Sequence, residues 1–457
     1  MLIAAKEYSN DITKHWWVAR VFCEKCGVLP KDRTLRFNHS LHDRPSSVYE
    51  INTNYWNMFD TIQAAPPDPI LGLTDAFNTD NRESKINLGI GVYKNEAGQT
   101  PTLAAVRTAE TQLLSADLPK GYLPITGSPL YGQLSRELLF GSGHDLVTSG
   151  RAVTAHTPGG TGGLRVAGDF MAGQAPGSKL WISTPTWANH PSIFSAAGIE
   201  TASYRYYDAT KHGLDATGML EDLDAIAAGD VVLLHGCCHN PTGVDLDLDQ
   251  WKHVAELLAA RKAVPLIDFA YQGFGADLEQ DAAGLRALAD LCPEFIVCAS
   301  YSKNFGLYNE RVGATTFVCP DASTAKNVAS QLKVVIRRNY SNPPAHGGKI
   351  VETILSDATL TAQWQSELAA MRDRINSVRV ELATALDSAG LALSAQGNSF
   401  LTHQNGMFGF SGLSKDEVAT LRKDHAVYMV ASGRINVAGI TPANIDHLVS
   451  AIAAVRA

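Results

Sequence analysis

The segment VVLLHGCCHNPTGVDLDLDQWKHVAELLAARKAVPLIDFAYQGF, Val231–Phe274, decides the fold class of this chain. It opens on a short apolar run that reads as a buried strand. Asp249 reads as the N-cap of a helix over QWKHVAELLAARK, with Trp251, Val254, Leu257 and Leu258 on one face. VPLIDFA, Val264–Ala270, is a second apolar strand. Outward from it, AAGLRALADL (Ala282–Leu291) reads as another helix and EFIVCAS (Glu294–Ser300) as a third strand. Strands alternating with helices of this length predict an α/β fold, a mostly parallel sheet covered by helices on both sides.

Ligands bind such sheets beyond the carboxyl ends of the strands. Three polar clusters occupy those positions: HNPTG after the first strand, DFAYQGF after the second and SYSKNFG after the third. One pocket collecting residues from three strand ends is the simplest reading. An earlier unit, AVTAHTPGGTGGLRVAGDFMAG (Ala152–Gly173), reads as strand, glycine-rich turn and helix, with Leu164, Ala167, Phe170 and Met171 as the apolar stripe. Its turn can present free N–H groups to an anion. Alone, such a turn is more often just a turn.

Lys303 stands just past the third strand, with Arg311 eight residues on. An amine at the end of a buried strand loses hydration, which lowers its pKa and frees it for covalent chemistry such as a Schiff base with an aldehyde. A guanidinium can hold a phosphate in bidentate fashion. Aldehyde plus phosphate points to pyridoxal phosphate (PLP), whose ring nitrogen requires a carboxylate partner, and Asp268 at the end of PLIDF is the candidate. By itself Lys303 would be an ordinary surface lysine; Asp268, Arg311 and the glycine turn shift the balance.

The bulk numbers fit an enzyme. With 457 residues, 45% of them hydrophobic, the chain can form two or more domains with sizeable cores. A net charge of −8 gives no support to nucleic-acid or anionic-membrane binding, and no apolar run reaches transmembrane length. Seven cysteines spread over a long chain do not form a disulfide framework, which favours a cytoplasmic location. Residues 1–57 lack periodicity and the apolar core of a signal peptide; they are expected to be a poorly ordered extension or upstream sequence, with Met58 the natural start. Their one CxxC, Cys23 and Cys26, has no second pair, and no metal site is expected.

HGCCHNPTG, DFAYQGF and SYSKNFGLYNERVG resemble the class I PLP-dependent aminotransferases, in their aspartate and aromatic branch. The likeness runs from about Met58 to the C-terminus through NLGIGVYKNEAG, TPGGTGGLR, PTWANH, YSNPPAHG and ASGRINVAG. It implies the PLP transferase fold type I: a large PLP-binding domain over residues 101–370, a smaller α+β domain over 73–100 and 371–457, and an arm over 58–72 reaching toward a second subunit. It also implies a homodimer with shared active sites, acting on amino acids and 2-oxo acids.

Residue by residue, the resemblance makes Lys303 the lysine that condenses with the cofactor and moves the substrate proton, and Asp268 the partner of its ring nitrogen. Asn240 and Tyr271 resemble the groups bonded to its phenolic oxygen, and Trp187 the aromatic stacked on its ring. Gly160, Thr161, Ser300 and Arg311 resemble the phosphate site, with Tyr122 supplied by the other subunit. His190 and His239 resemble outer groups near the ring and Asp268. Arg434 resembles the arginine that takes the substrate α-carboxylate, assisted by Gly91, and Asn240 and Trp187 also face substrate. Arg337 resembles the arginine offered across the dimer to the side-chain carboxylate; it lies four residues before Ser341, and Arg338 is the alternative register.

The implied reaction is aspartate transamination with 2-oxoglutarate, with an aromatic (tyrosine) aminotransferase as the alternative. Val92, Lys94, Thr100, Thr161 and Asn342 resemble the aspartate form, and Gly121 and Pro124 depart from it.

Overall fold

The computed structural model describes residues 58–65 and 71–456, together with the backbone of an N-terminal antiparallel hairpin, Ile3–Tyr8 against Trp16–Val21. The remainder of the expected N-terminal extension, and residues 66–70 of the expected arm, lie outside the described residues. Residues 1–66 and 67–457 are two separate units.

The second unit is built on a seven-stranded sheet. Its strands are β1 (Ala152–Pro158), β2 (Leu180–Thr184), β3 (Thr201–Arg205), β4 (Val231–His235), β5 (Val264–Phe269), β6 (Phe295–Ser300) and β7 (Val312–Val318). In space they run β1-β7-β6-β5-β4-β2-β3. Every pair is parallel except those of β7, which is antiparallel to β1 and β6.

That reversed strand matters for the site. Ser300, the last residue of β6, pairs with Gly313 near the start of β7, and Val312 pairs with Pro158, the last residue of β1. Arg311, just ahead of β7, therefore arrives at the same end of the sheet as the carboxyl ends of β1, β4, β5 and β6.

Alternate residues of one strand feed two cores, as the period-2 geometry of a strand requires. From β4, Val231 and Leu233 join Leu164, Ala167 and Met171 of the helix Gly159–Gln174, and Ile336 of the helix Ala322–Asn339. Val232 and Leu234 point the other way, into a core with Trp251, Val254 and Leu258 of the helix Leu248–Arg261 and with Leu285 and Leu288 of Ala283–Leu291. Both faces of the sheet are thus covered. Asp247, rather than Asp249, caps the helix Leu248–Arg261. Its side chain accepts from Gln250 N while Gln250 accepts from the Asp247 backbone, a reciprocal pair that Asp249, two residues on and already inside the helix, cannot form.

One long helix, Ala358–Ser388, runs through the expected domain boundary at 370/371; Asp357 caps it through Thr359 N and Leu360 N. Beyond it, Phe408–Phe410 pairs antiparallel with Arg434–Asn436, and Val427–Tyr428 pairs parallel with Ile86–Asn87. Asn436 Nδ2 donates to the carbonyls of Ile90 (2.6 Å) and Val92 (2.8 Å), which fastens the segment around Gly91 beside Arg434. No helix among the described residues is long and apolar enough to cross a membrane.

Candidate active site

A cavity of about 240 Å³ opens at the carboxyl end of the sheet, with Lys303 in its wall. Lys303 follows β6 by three residues, and its Nζ stands 4.7 Å from the centre of the Tyr271 ring. Enclosure by the pocket walls pushes the amine down to about 8; Arg311 acts in the same sense and the Asp268 carboxylate opposes it. Asp268 is the penultimate residue of β5, buried, and lies beside His235 of β4 and Cys298 of β6 in the register.

Burial opposes the Asp268 charge, but the hydrogen bond from His190 Nε2 to Oδ2 (3.0 Å) and neighbouring positive groups hold the carboxyl below its ordinary value. His190 is fixed in turn by Thr186 Oγ1 at Nδ1, 2.8 Å away. Burial, with His190 nearby, pushes His235 down to about 3, so that ring is neutral at physiological pH.

One end of the cavity is suited to an anion. Gly160 and Thr161 line it at the first turn of the helix Gly159–Gln174, where N–H groups have no partner within the helix. Ser300, Ser302 and Arg311 face them. Arg311 Nη1 donates to the Tyr308 carbonyl (2.8 Å) and to Ser302 Oγ (3.4 Å), which sets the plane of the guanidinium. Glycine is required here. Gly159 has φ +71°, and a Cβ on it would come within 2.6 Å of Arg311 Nη2; a Cβ on Gly160 would stand 3.1 Å from Ser300 Cβ.

The other end is suited to a carboxylate. Arg434 is buried, its guanidinium 4.2 Å from the centre of the Phe408 ring. Its Nη1 donates to Asn240 Oδ1 (3.3 Å) and its Nη2 to the Gly89 carbonyl (2.8 Å), while Nε, also buried, has no hydrogen-bond partner among the described residues. Neither arm of the fork is matched to an acid, so the group retains donors for a planar anion. Gly91 and Trp187 complete this wall, and the Trp187 ring meets His190 edge to face at 5.2 Å.

Comparison with known proteins decides the family. The model of "Aminotransferase class I and II" matches residues 83–452. The chain belongs to the class I and II aminotransferases. It is 54% identical over 398 residues to an aspartate aminotransferase of Escherichia coli, covering 87% of this chain and 100% of that one. It is 43% identical over 401 residues to an aromatic-amino-acid aminotransferase of the same organism, with 87% and 100% covered. A solved aromatic-amino-acid aminotransferase from Burkholderia pseudomallei, covalently bound to pyridoxal phosphate, has a TM-score of 0.84 at 47% identity, over 87% of this chain and 99% of that one.

In this aminotransferase the pocket gathers Gly91, Gly160, Thr161, Trp187, Asn240, Asp268, Tyr271, Ser300, Lys303, Arg311 and Arg434. Two expected site residues stand apart from it in the chain itself. Tyr122 is 94% exposed. Arg337 is exposed at the end of its helix and bonds Ser341 Oγ. His239 also stays out of the lining: it stacks on Tyr206 at 4.1 Å and meets Ser183 Oγ at 3.0 Å.

Sequence reasoning passed over four polar or aromatic lining residues, His235, Ser302, Tyr308 and Phe408, besides the aliphatic Leu164 and Ala270. His235 was visible as the polar last residue of an apolar strand, and Ser302 and Tyr308 sit within the lysine motif. Phe408 had no local signal.

Among the described residues one trio, Cys237, Cys238 and Asp281, is close enough to share a cation. Its chemistry is unfavourable. Asp281 already accepts from the N–H groups of Gly273, Gly275 and Ala276, and burial raises both thiol pKa values, keeping them protonated.

Proposed function

We propose that this chain is a PLP-dependent aspartate aminotransferase, transferring the amino group of L-aspartate to 2-oxoglutarate to give oxaloacetate and L-glutamate. The observation that carries the reading is Lys303: an amine in the wall of the cavity that Asp268 and Arg311 also line, lowered to about 8 by burial. The fit to PLP rests on the cradle that a Cβ at Gly159 or Gly160 would fill, and on a buried carboxylate held charged in the wall of the same cavity. Gly160, Thr161, Ser300 and Arg311 would hold the phosphate, Asp268 the ring nitrogen, Asn240 and Tyr271 the phenolic oxygen, and Trp187 the ring face. PLP supplies an aldehyde that condenses with amines and a protonated ring that withdraws electrons from the substrate α-carbon.

The chain's own residues do the rest. Arg434 and the Gly91 backbone hold the α-carboxylate and so orient the α-hydrogen toward Lys303. Lys303 Nζ takes that proton and returns it at the neighbouring carbon; an amine near 8 is basic enough to accept it and is far more often neutral at pH 7 than an ordinary lysine near 10.5. Asp268, kept ionised by His190, holds a proton on the ring nitrogen.

Tyr122 and Arg337, exposed in one chain, are read as groups lent to the site of a second subunit in a homodimer. Residues 73–100 with 371–457, which carry Gly91 and Arg434, are read as the smaller domain, 101–370 as the PLP-binding domain, and 58–72 as the arm toward the partner. A cytoplasmic location fits this metabolism. Turnover of aromatic amino acids is the second reading, favoured by the similarity to the Escherichia coli aromatic enzyme and by Gly121 and Pro124 flanking Tyr122 and Leu123.

The test is a kcat/KM panel of aspartate, glutamate, tyrosine and phenylalanine with 2-oxoglutarate. Aspartate is expected to lead; tyrosine or phenylalanine ahead of it would make the aromatic reading the right one.

A further inference from the structure

His156 lies outside the pocket, yet four segments that matter to it meet on this residue. It sits in β1 two residues before Pro158, where the strand gives way to the glycine turn. The side chain is 1% exposed, and its ring packs on that of Tyr131 with centroids 4.3 Å apart. Two glycines close the remaining faces: a Cβ at Gly127 would come 2.5 Å from His156 Cβ, and one at Gly348 would come 2.5 Å from Cε1.

The backbone is engaged at both polar atoms beyond the sheet. His156 N–H donates to the Thr126 carbonyl at 3.0 Å, and the Tyr340 hydroxyl donates to the His156 carbonyl at 3.1 Å. Thr126 lies four residues after Tyr122, and Tyr340 three after Arg337. On the inner side the Tyr131 hydroxyl donates to the Gly313 carbonyl (2.7 Å), and Gly313 is pressed against Gly159, where a Cβ would stand 2.5 Å from the Gly159 carbonyl carbon.

Resting on the reading of Tyr122 and Arg337 as groups lent to a partner site, we propose that His156 is a positioning residue. It sets the Tyr122 loop and the Arg337 helix end in register with the glycine turn that holds the phosphate. The imidazole acts by shape. Its Nε2 is buried without a hydrogen-bond partner among the described residues, and burial pushes the group down to about 4, so it is neutral wherever the enzyme works. A flat neutral ring can lie between Tyr131 and Gly348; alanine leaves a gap into which the Thr126–Gly127 loop and the start of the helix Ala345–Ser356 relax.

Small displacements of positioning groups are costly, on the order of a hundredfold for about 1 Å. The test uses the holoenzyme, with His156→Ala, His156→Gln (a flat amide of similar reach) and Tyr340→Phe (loss of the hydroxyl that reaches the His156 carbonyl). Rates are taken per bound PLP, well below each variant's Tm, and the Kd of PLP for the apo-protein is measured by fluorescence.

In His156→Ala the Kd for PLP is expected to rise and kcat/KM for aspartate to fall about tenfold or more, with phenylalanine losing less than about threefold. His156→Gln should recover most of both. Tyr340→Phe, which keeps the ring packing and so the fold, should show the selective aspartate loss with an unchanged Kd for PLP. The pH profile should keep its shape in every variant.

A lower Tm with wild-type kinetics and Kd would overturn the proposal, leaving His156 a packing residue. So would equal losses for aspartate and phenylalanine, or a shifted pH profile. Absence of transamination in the unmutated protein overturns the underlying reading instead, and is seen before any variant is made.

Discussion

His190 Nε2 stands 3.0 Å from Oδ2 of Asp268, and both residues are buried. Burial disfavours the carboxylate charge, which is held by this side-chain hydrogen bond and by the positive groups nearby. His190 is in turn held by Thr186, so a chain of three side chains ends on the acid beneath the pocket.

His190→Ala is expected to raise the pKa of Asp268, because burial then acts with little opposition. The group is held low in the native protein and stays ionised through neutrality; in the variant, activity should fall away at a higher pH as the solution is acidified. Loss of a hydrogen bond to a charged group is worth about 1.5–3 kcal/mol, so kcat/KM at neutral pH should drop roughly 10- to 100-fold. The pH–rate profile checks this: an acid limb in the same place would remove His190 from the role.

Lys303 destabilises the apo-protein in order to be reactive. Its pKa falls from 10.5 to about 8 in the folded state, so the unfolded chain binds more protons between those values and stability rises with pH across that window. Below it the penalty is constant, on the order of 3 kcal/mol at 1.36 kcal/mol per unit. Apo Lys303→Met should therefore unfold at higher denaturant than apo wild type at pH 7, with the gap narrowing toward pH 10.5. The same position tests the covalent role: borohydride reduction and peptide mapping should place the phosphopyridoxyl group on Lys303 alone.

Gly160→Ala places a methyl 3.1 Å from Ser300 Cβ, inside the proposed phosphate cradle. Overpacking costs about 1–3 kcal/mol, which should appear as a rise in the Kd for PLP of roughly 5- to 150-fold. Leu258→Ala, at a fully buried position of the opposite core, is the control: it should lose about 2–5 kcal/mol of stability and leave PLP affinity per folded protein unchanged.

The strand ends were legible because they break a strong pattern. HNPTG, DFAYQGF and SYSKNFG are polar clusters where apolar strands stop, and Asn240, Asp268, Tyr271, Ser300 and Lys303 do line one cavity. The alternation of strand and helix was enough for a sheet covered on both faces. Antiparallel β7 was hidden, since an apolar run carries no sign of direction, yet it is what brings Arg311 to the site.

Phe408 was invisible for a different reason: its place under Arg434 comes from a cross-strand pairing in which Phe408 faces Asn436 and Phe410 faces Arg434. No local window holds that register. Asp247 is the opposite case: its partner Gln250 lies three residues on, the local spacing of a capping box, so this cap was legible in the sequence and Asp249 was a misreading of it.

Shared sites predict complementation. Lys303→Ala and Arg337→Ala should each be inactive on aspartate, because on the proposed reading one lacks the proton carrier and the other the group lent to the partner. Refolded together, mixed dimers contain one site with neither lesion, and about a quarter of wild-type activity should return if subunits pair at random. Mixed dimers proven by mass spectrometry yet inactive would mean that each chain completes its own site.

Arg337 should decide substrate choice. It sits in the last turn of the helix Ala322–Asn339, exposed, with one guanidinium nitrogen on Ser341 Oγ, and so is fixed in direction without being neutralised by an acid in the described contacts. Arg338 is adjacent, but its Nε turns back to the Val334 carbonyl at 3.4 Å along its own helix. A side-chain carboxylate of aspartate in a closed site gains a charge-assisted hydrogen bond from such a guanidinium. Removing one partner of a buried pair costs about 3–5 kcal/mol, or roughly 10²–10³ or more in kcat/KM. Phenylalanine has no carboxylate to pair there, and removal of the charge relieves the cost of burying a ring beside it. Arg337→Leu should therefore lower kcat/KM for aspartate by that factor and leave phenylalanine unchanged or improved. Equal losses for the two substrates would make Arg337 a structural group; the selective loss should then be found in Arg338→Leu, the neighbouring register.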